Sequence, residues 1–476
     1  MRRAARAART AAIAGAIAAT LPAAAHAAAP IVPAQPATTF VDGLGVNTHF
    51  SWTAGSPYCE NTLELMRLLG ELGVRHVRDG GETWAGFAGS QSCGGLETLQ
   101  DLYSQYGIKT QLVLNALNRG QKTVAGALAA LDQPGAANDL LDIAVYLRGA
   151  GALSAVEGPN EYDNVEKTVN WNALDPKNWS SYTFPWRDRV ASFMPQFHSK
   201  VRARFAAADV PVVNASFAYG PPKTYAPTNS YKAYARLGDR TATFDIGNMH
   251  PYSGIDNPEK FVGDWFSDAR AISLTKPLQA TEIGYYDKVR ADGRYVSKRA
   301  ASIYLLRHVL EMAARGSQRT FIYELSDGTA AQSDLYTWGL VDNTGQPKPA
   351  YRALKRLIAA VNDQPATGTA PSSLGLGVSG TGVRSHVVGQ RGGTYVVALW
   401  QPGVVWNTST RTDVEPAAVG AQLTVDRTFD VATFRPADQS QLTQPHAWTP
   451  SGQASATQPR TISVGGDPIL VRLTPR

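Results

Sequence analysis

The sequence is poor in the side chains that bind transition metals. It has two cysteines and eight scattered histidines among 476 residues, and neither a His-Glu-x-x-His nor a Cys-x-x-Cys spacing occurs. A metal-dependent hydrolase is therefore disfavoured, and no metal or organic cofactor is expected. Charged residues make up only 18% of the chain, with no basic patch interleaved with aromatics, so nucleic acid is not an expected partner. The long apolar run at 11–21, AAIAGAIAATL, is too short to remain as a bilayer span. One Gly-x-Gly-x-x-Gly match, GLGVSG at 375–380, has no helix following it and reads as a turn-rich link rather than a nucleotide loop.

What is present describes a globular protein. Hydrophobic residues are 43% of the chain, enough for a substantial core, and the length suits one large domain plus a smaller one. Residues 1–27 differ from the rest: Arg2, Arg3, Arg6 and Arg9 precede the apolar run, and Ala25-His26-Ala27 forms an A-x-A site. This is the pattern of a secretory signal peptide, and it predicts a secreted, extracellular protein. The formal charge of +6 falls to +2 without those four arginines. In an exported protein the two cysteines, Cys59 and Cys93, suggest a disulfide.

Residues 28–39 are rich in Pro and Ala and read as a linker. Strand-like runs then alternate with helical ones. Strands are expected at 41–50, 74–81, 108–117, 153–161, 210–219, 243–253, 276–286 and 318–327. Helices are expected at 60–73, 96–107, 122–149, 188–208, 230–237, 258–273, 295–316 and 349–363. Eight strand–helix units imply an α/β fold of the (β/α)8 TIM-barrel class over 40–365. From 366 to 476 the texture changes to short alternating runs broken by Gly, Pro and Asp, which predicts a small all-β sandwich. Packing against the barrel is its expected role.

In such barrels the chemistry sits at the carboxyl ends of the strands. Those ends carry His49, Arg78, Asn115, Asn160 with Glu161, His250 with Tyr252, Glu282 with Tyr285, and Glu324. Glu161 and Glu282 end the fourth and seventh strands, which face each other across the mouth. Paired carboxylates suit glycosidic-bond hydrolysis, where one must be a protonated acid and the other ionised. Arg78 and Tyr285 are placed to keep Glu282 charged, while Glu161 has only the neutral Asn160 beside it. Tyr286, Trp84, Trp171, Trp179 and Trp186 are candidate sugar platforms. Three of those tryptophans fall in an aromatic run at 171–186, after the fourth strand.

The segments Gly-Pro-Asn-Glu (158–161) and Thr-Glu-Ile-Gly-Tyr (281–285) resemble clan A of the glycoside hydrolases, retaining (β/α)8 enzymes such as families 39 and 5. The resemblance covers about residues 40–363, and family 39 adds a C-terminal β-sandwich. It implies that Glu161 is the acid/base, Glu282 the nucleophile, and Asn160 a ligand of the sugar's 2-hydroxyl. It implies substrate-binding roles for Arg78, His250 and Tyr252. The tryptophan that floors the sugar site in many clan members is absent from FIYELSD at 321–327, and Trp338 is the candidate for that place. An oligo- or polysaccharide substrate follows, with the two carboxyl groups about 5–5.5 Å apart. The competing reading is a non-catalytic carbohydrate-binding protein on the same scaffold.

Overall fold

A computed structural model describes residues 29–52, 54–80, 93–118, 123–131, 140–165, 185–218, 237–288, 293–329, 337–362 and 367–476. The expected leader, Trp84, Trp171, Trp179 and nearly all of the expected helix at 230–237 lie outside them. Eight parallel strands form the larger unit: β1 (Leu44–Asn47), β2 (His76–Gly80), β3 (Lys109–Val113), β4 (Leu153–Glu157), β5 (Val212–Val213), β6 (Gly247–Met249), β7 (Leu278–Ile283) and β8 (Thr320–Ile322). Their order in the sheet is β5-β4-β3-β2-β1-β8-β7-β6. A single parallel bridge, Val213 to Ile246, joins the two ends into a barrel.

Helices after the strands cover the outside, and their sequences explain their extent. In Thr62–Leu72 the buried residues are Leu65, Met66, Leu68, Leu69 and Leu72, one face at helical spacing. The helix stops at Gly73, whose φ of 84° suits glycine. Gly95–Tyr106 buries Leu96, Leu99 and Leu102 and stops the same way at Gly107. At Gly45 of β1 a Cβ would lie 2.4 Å from the Phe321 ring of β8, so glycine is required for those strands to pair. Among the described residues no helix is long and apolar enough to cross a membrane.

The N-terminal part departs from expectation. Residues 28–39 are not a linker. Ile31–Pro33 pairs antiparallel with Ser373–Ser379, and Gln35–Pro36 runs parallel to Arg384–Gly389. Both short strands lie at sheet edges, where a proline's missing N–H costs no ladder bond. The next segment, Ala37–Asp42, is a helix rather than the start of β1, with Ala37, Phe40 and Val41 buried on one face. That i, i+3, i+4 spacing carried the information.

Residues after 367 form the expected sandwich. A four-stranded sheet and a six-stranded sheet enclose Leu376, Val397, Leu423, Phe429, Val471 and Leu473. The other face of the six-stranded sheet is apolar too, and its Val388, Val396, Ala398, Trp400 and Leu470 belong to the core of the barrel unit. Helix Lys298–Ala314 is buried nearly all round because it lies between the two. Trp400 Nε1 donates to Glu311 Oε1 at 3.1 Å. Arg307, paired with Glu259, donates to the Gly403 carbonyl at 2.6 Å.

Cys59 and Cys93 are joined by a disulfide that closes a 34-residue separation between the segments after β1 and β2. Loop-closure entropy assigns such a link about 3–4 kcal/mol. Replacing both cysteines by alanine should lower stability by about that amount in denaturant titrations, with the native far-UV dichroism retained.

Candidate active site

The mouth of the barrel is organised around Arg78 on β2, which is 4% exposed. Its Nε and Nη2 donate to the two oxygens of Glu157, both at 2.8 Å. Nη1 donates to Glu282 Oε1 and to Asn47 Oδ1, also at 2.8 Å. Nη2 further donates to Asn160 Oδ1 at 2.6 Å. One planar cation thus ties β1, β2, β4 and β7 together. Its two parallel bonds to Glu157 make the fork geometry that only arginine offers.

Glu157 is the residue that sequence reasoning missed. It ends β4 with no exposed surface, four residues before the Glu161 expected there. Besides Arg78, Gln111 Nε2 (2.8 Å) and Asn248 Nδ2 (3.0 Å) donate to it. Gln279 of β7 donates in turn to Gln111 of β3 at 2.9 Å, across the barrel interior. The upper interior is therefore a layer of mutually satisfied polar groups. The apolar cluster Ala155, Val213 and Ile246 stands apart from it. The available clue was a glutamate at an inward position of an otherwise apolar strand, where an unpaired charge is untenable.

Glu282 and Glu161 occupy different environments. Glu282 is 6% exposed. Burial alone would raise its pKa, but His250, Arg78 and the Tyr252 hydroxyl outweigh it and hold the carboxyl below its ordinary value. Tyr252 Oη donates to Glu282 Oε2 at 2.7 Å. Glu161 lies beyond the strand with a positive φ of 45°, a backbone state uncommon outside glycine and met at functional sites. Its N–H is held by the Ser216 carbonyl at 3.1 Å. Its side chain is 19% exposed, and Oε1 lies 2.7 Å from His250 Nδ1.

The other expected residues divide. Asn115 Oδ1 accepts from the Asn160 backbone N–H at 2.8 Å, fixing the turn that carries Glu161. His49, Trp338 and Tyr286 line the cleft, together with Arg78, Asn115, Asn160, Glu161, Tyr252 and Glu282. Trp338 packs on Tyr286 with ring centroids 3.7 Å apart and on Tyr252 at 5.0 Å. It reaches the site from the segment after β8. Three expectations need correction. Tyr285 does not support Glu282: it points outward, donating to the Asp256 carbonyl at 3.2 Å beneath Tyr304, and Tyr252 takes its place. Glu324 is fully buried behind the cleft, 3.1 Å from His49 Nε2 and bonded by Tyr58. His250 has no exposed surface and touches the two carboxylates rather than open space. Trp186 also packs inside, against Phe217.

Sequence reasoning also missed Asp79, Trp52 and Tyr323, which line the same cleft. Asp79 accepts from Thr48 Oγ1 (2.7 Å), the Phe50 N–H (2.9 Å) and Ser51 Oγ (3.1 Å), and so shapes the loop that presents His49. Burial raises its pKa to about 6 against those bonds and the nearby His49. The His49 ring stacks on Trp52 at 4.1 Å. The cleft measures about 730 Å³, room for a sugar residue with neighbours. Among the described residues one group could chelate a cation: donor atoms of Glu161, His250 and Glu282 lie within 4.8 Å of one another. Arg78 on Glu282 and the His250–Glu161 bond already occupy that set, and the guanidinium would repel a metal.

No family model matches the sequence, and no curated protein is similar enough to be matched. Solved structures share the architecture. A family 39 glycoside hydrolase from Bacteroides cellulosilyticus superposes with a TM-score of 0.52 at 14% identity, over 93% of this chain and 83% of that one. A family 30 subfamily 8 xylanase from Clostridium acetobutylicum gives 0.51 at 14%, over 94% and 97%. A glucosidase from Croceicoccus marinus gives 0.51 at 10%, over 86% and 91%. At these identities the likeness shows the fold alone, and in this chain that fold is a TIM barrel followed by a β-sandwich.

Because Glu157 accepts two charge-assisted hydrogen bonds from Arg78 while Glu282 remains as a counter-charge, Glu157→Gln should cost about 1.5–3 kcal/mol of stability. Chemical denaturation of the purified variant measures it. A loss under about 1 kcal/mol would show that Arg78 does not depend on this partner.

Proposed function

We propose that this chain is a secreted glycoside hydrolase that cleaves β-linked glycans with retention of configuration, Glu282 acting as nucleophile and Glu161 as acid/base. The observation that carries the reading is the pair of carboxylates at the cleft, with oxygens within 4.8 Å of each other and unlike surroundings. So close an approach of one oxygen from each favours double displacement, whose carboxyl groups stand about 5–5.5 Å apart, over inversion, whose groups stand farther apart. The similarity of fold to glycoside hydrolases of families 39 and 30 supports the same reaction class.

In this reading Glu282, kept ionised by Arg78 and Tyr252, attacks the anomeric carbon from below the ring. The glycosidic C–O bond breaks as Glu161 delivers its proton to the leaving oxygen. A glycosyl ester on Glu282 results. Water then enters, gives a proton to Glu161, and attacks the same carbon; the ester bond breaks and the enzyme is regenerated. Asn160, oriented by Arg78, Ser216 and Asn115, offers its amide to a hydroxyl next to the reacting carbon. Trp338, Tyr286 and Trp52 supply flat apolar faces for sugar rings. The leader-like N-terminus and the disulfide are consistent with export.

Two experiments test this. Proton NMR of the first product released from a β-linked substrate should show the β-anomer before mutarotation, and Glu282→Gln should lose at least about a thousandfold in kcat. The α-anomer appearing first would overturn double displacement. The pH profile of kcat/KM should be bell-shaped. Glu282 titrates below its ordinary 4.5, so activity persists down to that lowered value and is lost beneath it. His250 titrates above its ordinary 6.5: burial opposes its charge, but Glu282 and Glu161 outweigh burial. The His250 proton facing the two carboxylates is then lost as pH rises through that raised value, and the alkaline limb should follow it. His250→Gln should remove the limb set by that ring and so change the alkaline side of the profile.

A further inference from the structure

We propose a second ligand site, for a carboxylate-bearing oligosaccharide, at the seam between barrel and sandwich. Helix Pro349–Val361 presents Arg352, Lys355 and Arg356, spaced i, i+3 and i+4, to a hollow of about 610 Å³. Its opposite wall is the sandwich segment 442–446. None of its lining residues belongs to the catalytic cleft.

The charges there do not cancel. Arg67 pairs with Glu64 and Glu71, and Lys355 Nζ with Glu71 Oε2 at 2.9 Å. These two cations are matched by these two acids. Arg352 and Arg356 make no ion pair among the described residues. Arg356 is 5% exposed. Its Nη1 donates to the Pro436 carbonyl at 2.9 Å, and the guanidinium lies 4.6 Å over the Phe434 ring. Its Nε and Nη2, both shielded from solvent, have no hydrogen-bond partner among the described residues. Asp438 offsets this charge only from a distance, since its Oδ1 accepts from the Ser440 N–H and hydroxyl.

A smaller hollow of about 250 Å³ adjoins the first, sharing Ala359 and His446. It adds Arg472, which lies 4.8 Å over the Trp448 ring and whose Nε has no hydrogen-bond partner among the described residues either. Burial, Arg356 and Arg472 together depress the pKa of His446 between them, the response expected where positive charge is in surplus.

The unused edge of a buried guanidinium is costly unless an acceptor arrives. Two guanidinium-bearing residues lining one hollow, Arg352 and Arg356, suit a two-oxygen anion, a carboxylate or a phosphate. Between the basic groups Leu68, Tyr351, Leu442 and Pro445 give the walls apolar faces, beside the polar Thr443 and Gln444. A sugar ring's C–H face suits them, with its carboxylate on Arg356 and Arg352. That the anion is carried on a glycan rests on the proposed glycosidase function; the anion site itself does not.

The test uses the full chain carrying Glu282→Gln, so that no substrate is consumed. Calorimetric titrations compare a linear hexuronate oligomer, a neutral hexose oligomer of equal length and inorganic phosphate. Arg352→Ala and Arg356→Met are added singly, each checked for an unchanged melting temperature. Hexuronate affinity should fall about tenfold in either variant and weaken with salt, while neutral-oligomer affinity stays constant. Unchanged hexuronate affinity in both variants would overturn the proposal. Phosphate binding as tightly as the hexuronate, with the same dependence on Arg352, would overturn the glycan assignment and leave a simple anion site. Hydrolysis of a small aryl glycoside should be unaffected by Arg352→Ala. If the wild type hydrolyses no glycoside yet hexuronate binding depends on Arg352, the proposed function fails while the groove stands.

Discussion

The Arg78 guanidinium must find oxygen acceptors in a place where water does not reach, and three of those it finds belong to three different strands. Glu157 on β4, Glu282 on β7 and Asn47 on β1 all converge on it. Burying such a cluster costs desolvation energy that packed aliphatic side chains would not. In return a planar group with fixed donor directions locks the strand ends in register. The nucleophile candidate is then held by the same bonds that hold the barrel top. The negative charge of Glu157 and Glu282 exceeds what Arg78 supplies, and His250 faces that excess. Its raised pKa and the lowered pKa of Glu282 are two sides of one balance.

The sandwich bears on this site indirectly. Helix Lys298–Ala314 follows β7, the strand that carries Glu282, and is buried on one side by the barrel and on the other by the six-stranded sheet. Buried contacts such as Trp400 to Glu311 and Tyr304 Oη to the Val405 N–H bind helix and sheet together. Without the sheet that helix would present an apolar face to water. The N-terminal strands at 31–36 close the arrangement, because they pair with sandwich strands just before the chain enters the barrel. Barrel and sandwich are thus laced together at both ends of the barrel sequence.

What the sequence revealed follows from the range of the interactions involved. The strand–helix alternation is a local pattern, so all eight barrel strands were visible, though their ends were drawn too long: β5 shrinks to Val212–Val213. Asn160, Glu161 and Glu282 were legible because a short motif holds each. Glu157 was not, since its meaning lies in Arg78, Gln111 and Asn248, residues 46 to 91 positions away. Tyr285 and Tyr252 both sit near Glu282 in strand order, and only the direction of each ring decides which one bonds it. Residues 31–36 were misread because proline is scored against strands in general, while edges admit it. The basic groove was invisible because its walls come from separate segments of both units.

The polar interior also decides where the proton on His250 resides. Glu157 receives N–H donors from Arg78 on both oxygens, so the Asn248 amide facing it must be turned with its nitrogen inward, at 3.0 Å. The same nitrogen donates to the Asn214 carbonyl at 3.1 Å, using its second hydrogen. Asn248 Oδ1 is left as an acceptor, and the Thr281 hydroxyl directs its hydrogen to it at 2.8 Å or to Glu157 Oε1 at 3.2 Å. Having spent its one hydrogen, the Thr281 hydroxyl can only accept from His250 Nε2, 2.8 Å away. The Nε2 position is therefore protonated whatever the charge of the ring. Gain or loss of a proton is confined to Nδ1, which lies 2.7 Å from Glu161 and 3.5 Å from Glu282. Glu157, a residue that touches no open space, thus acts through Asn248 and Thr281 to fix which nitrogen of His250 exchanges a proton with Glu161.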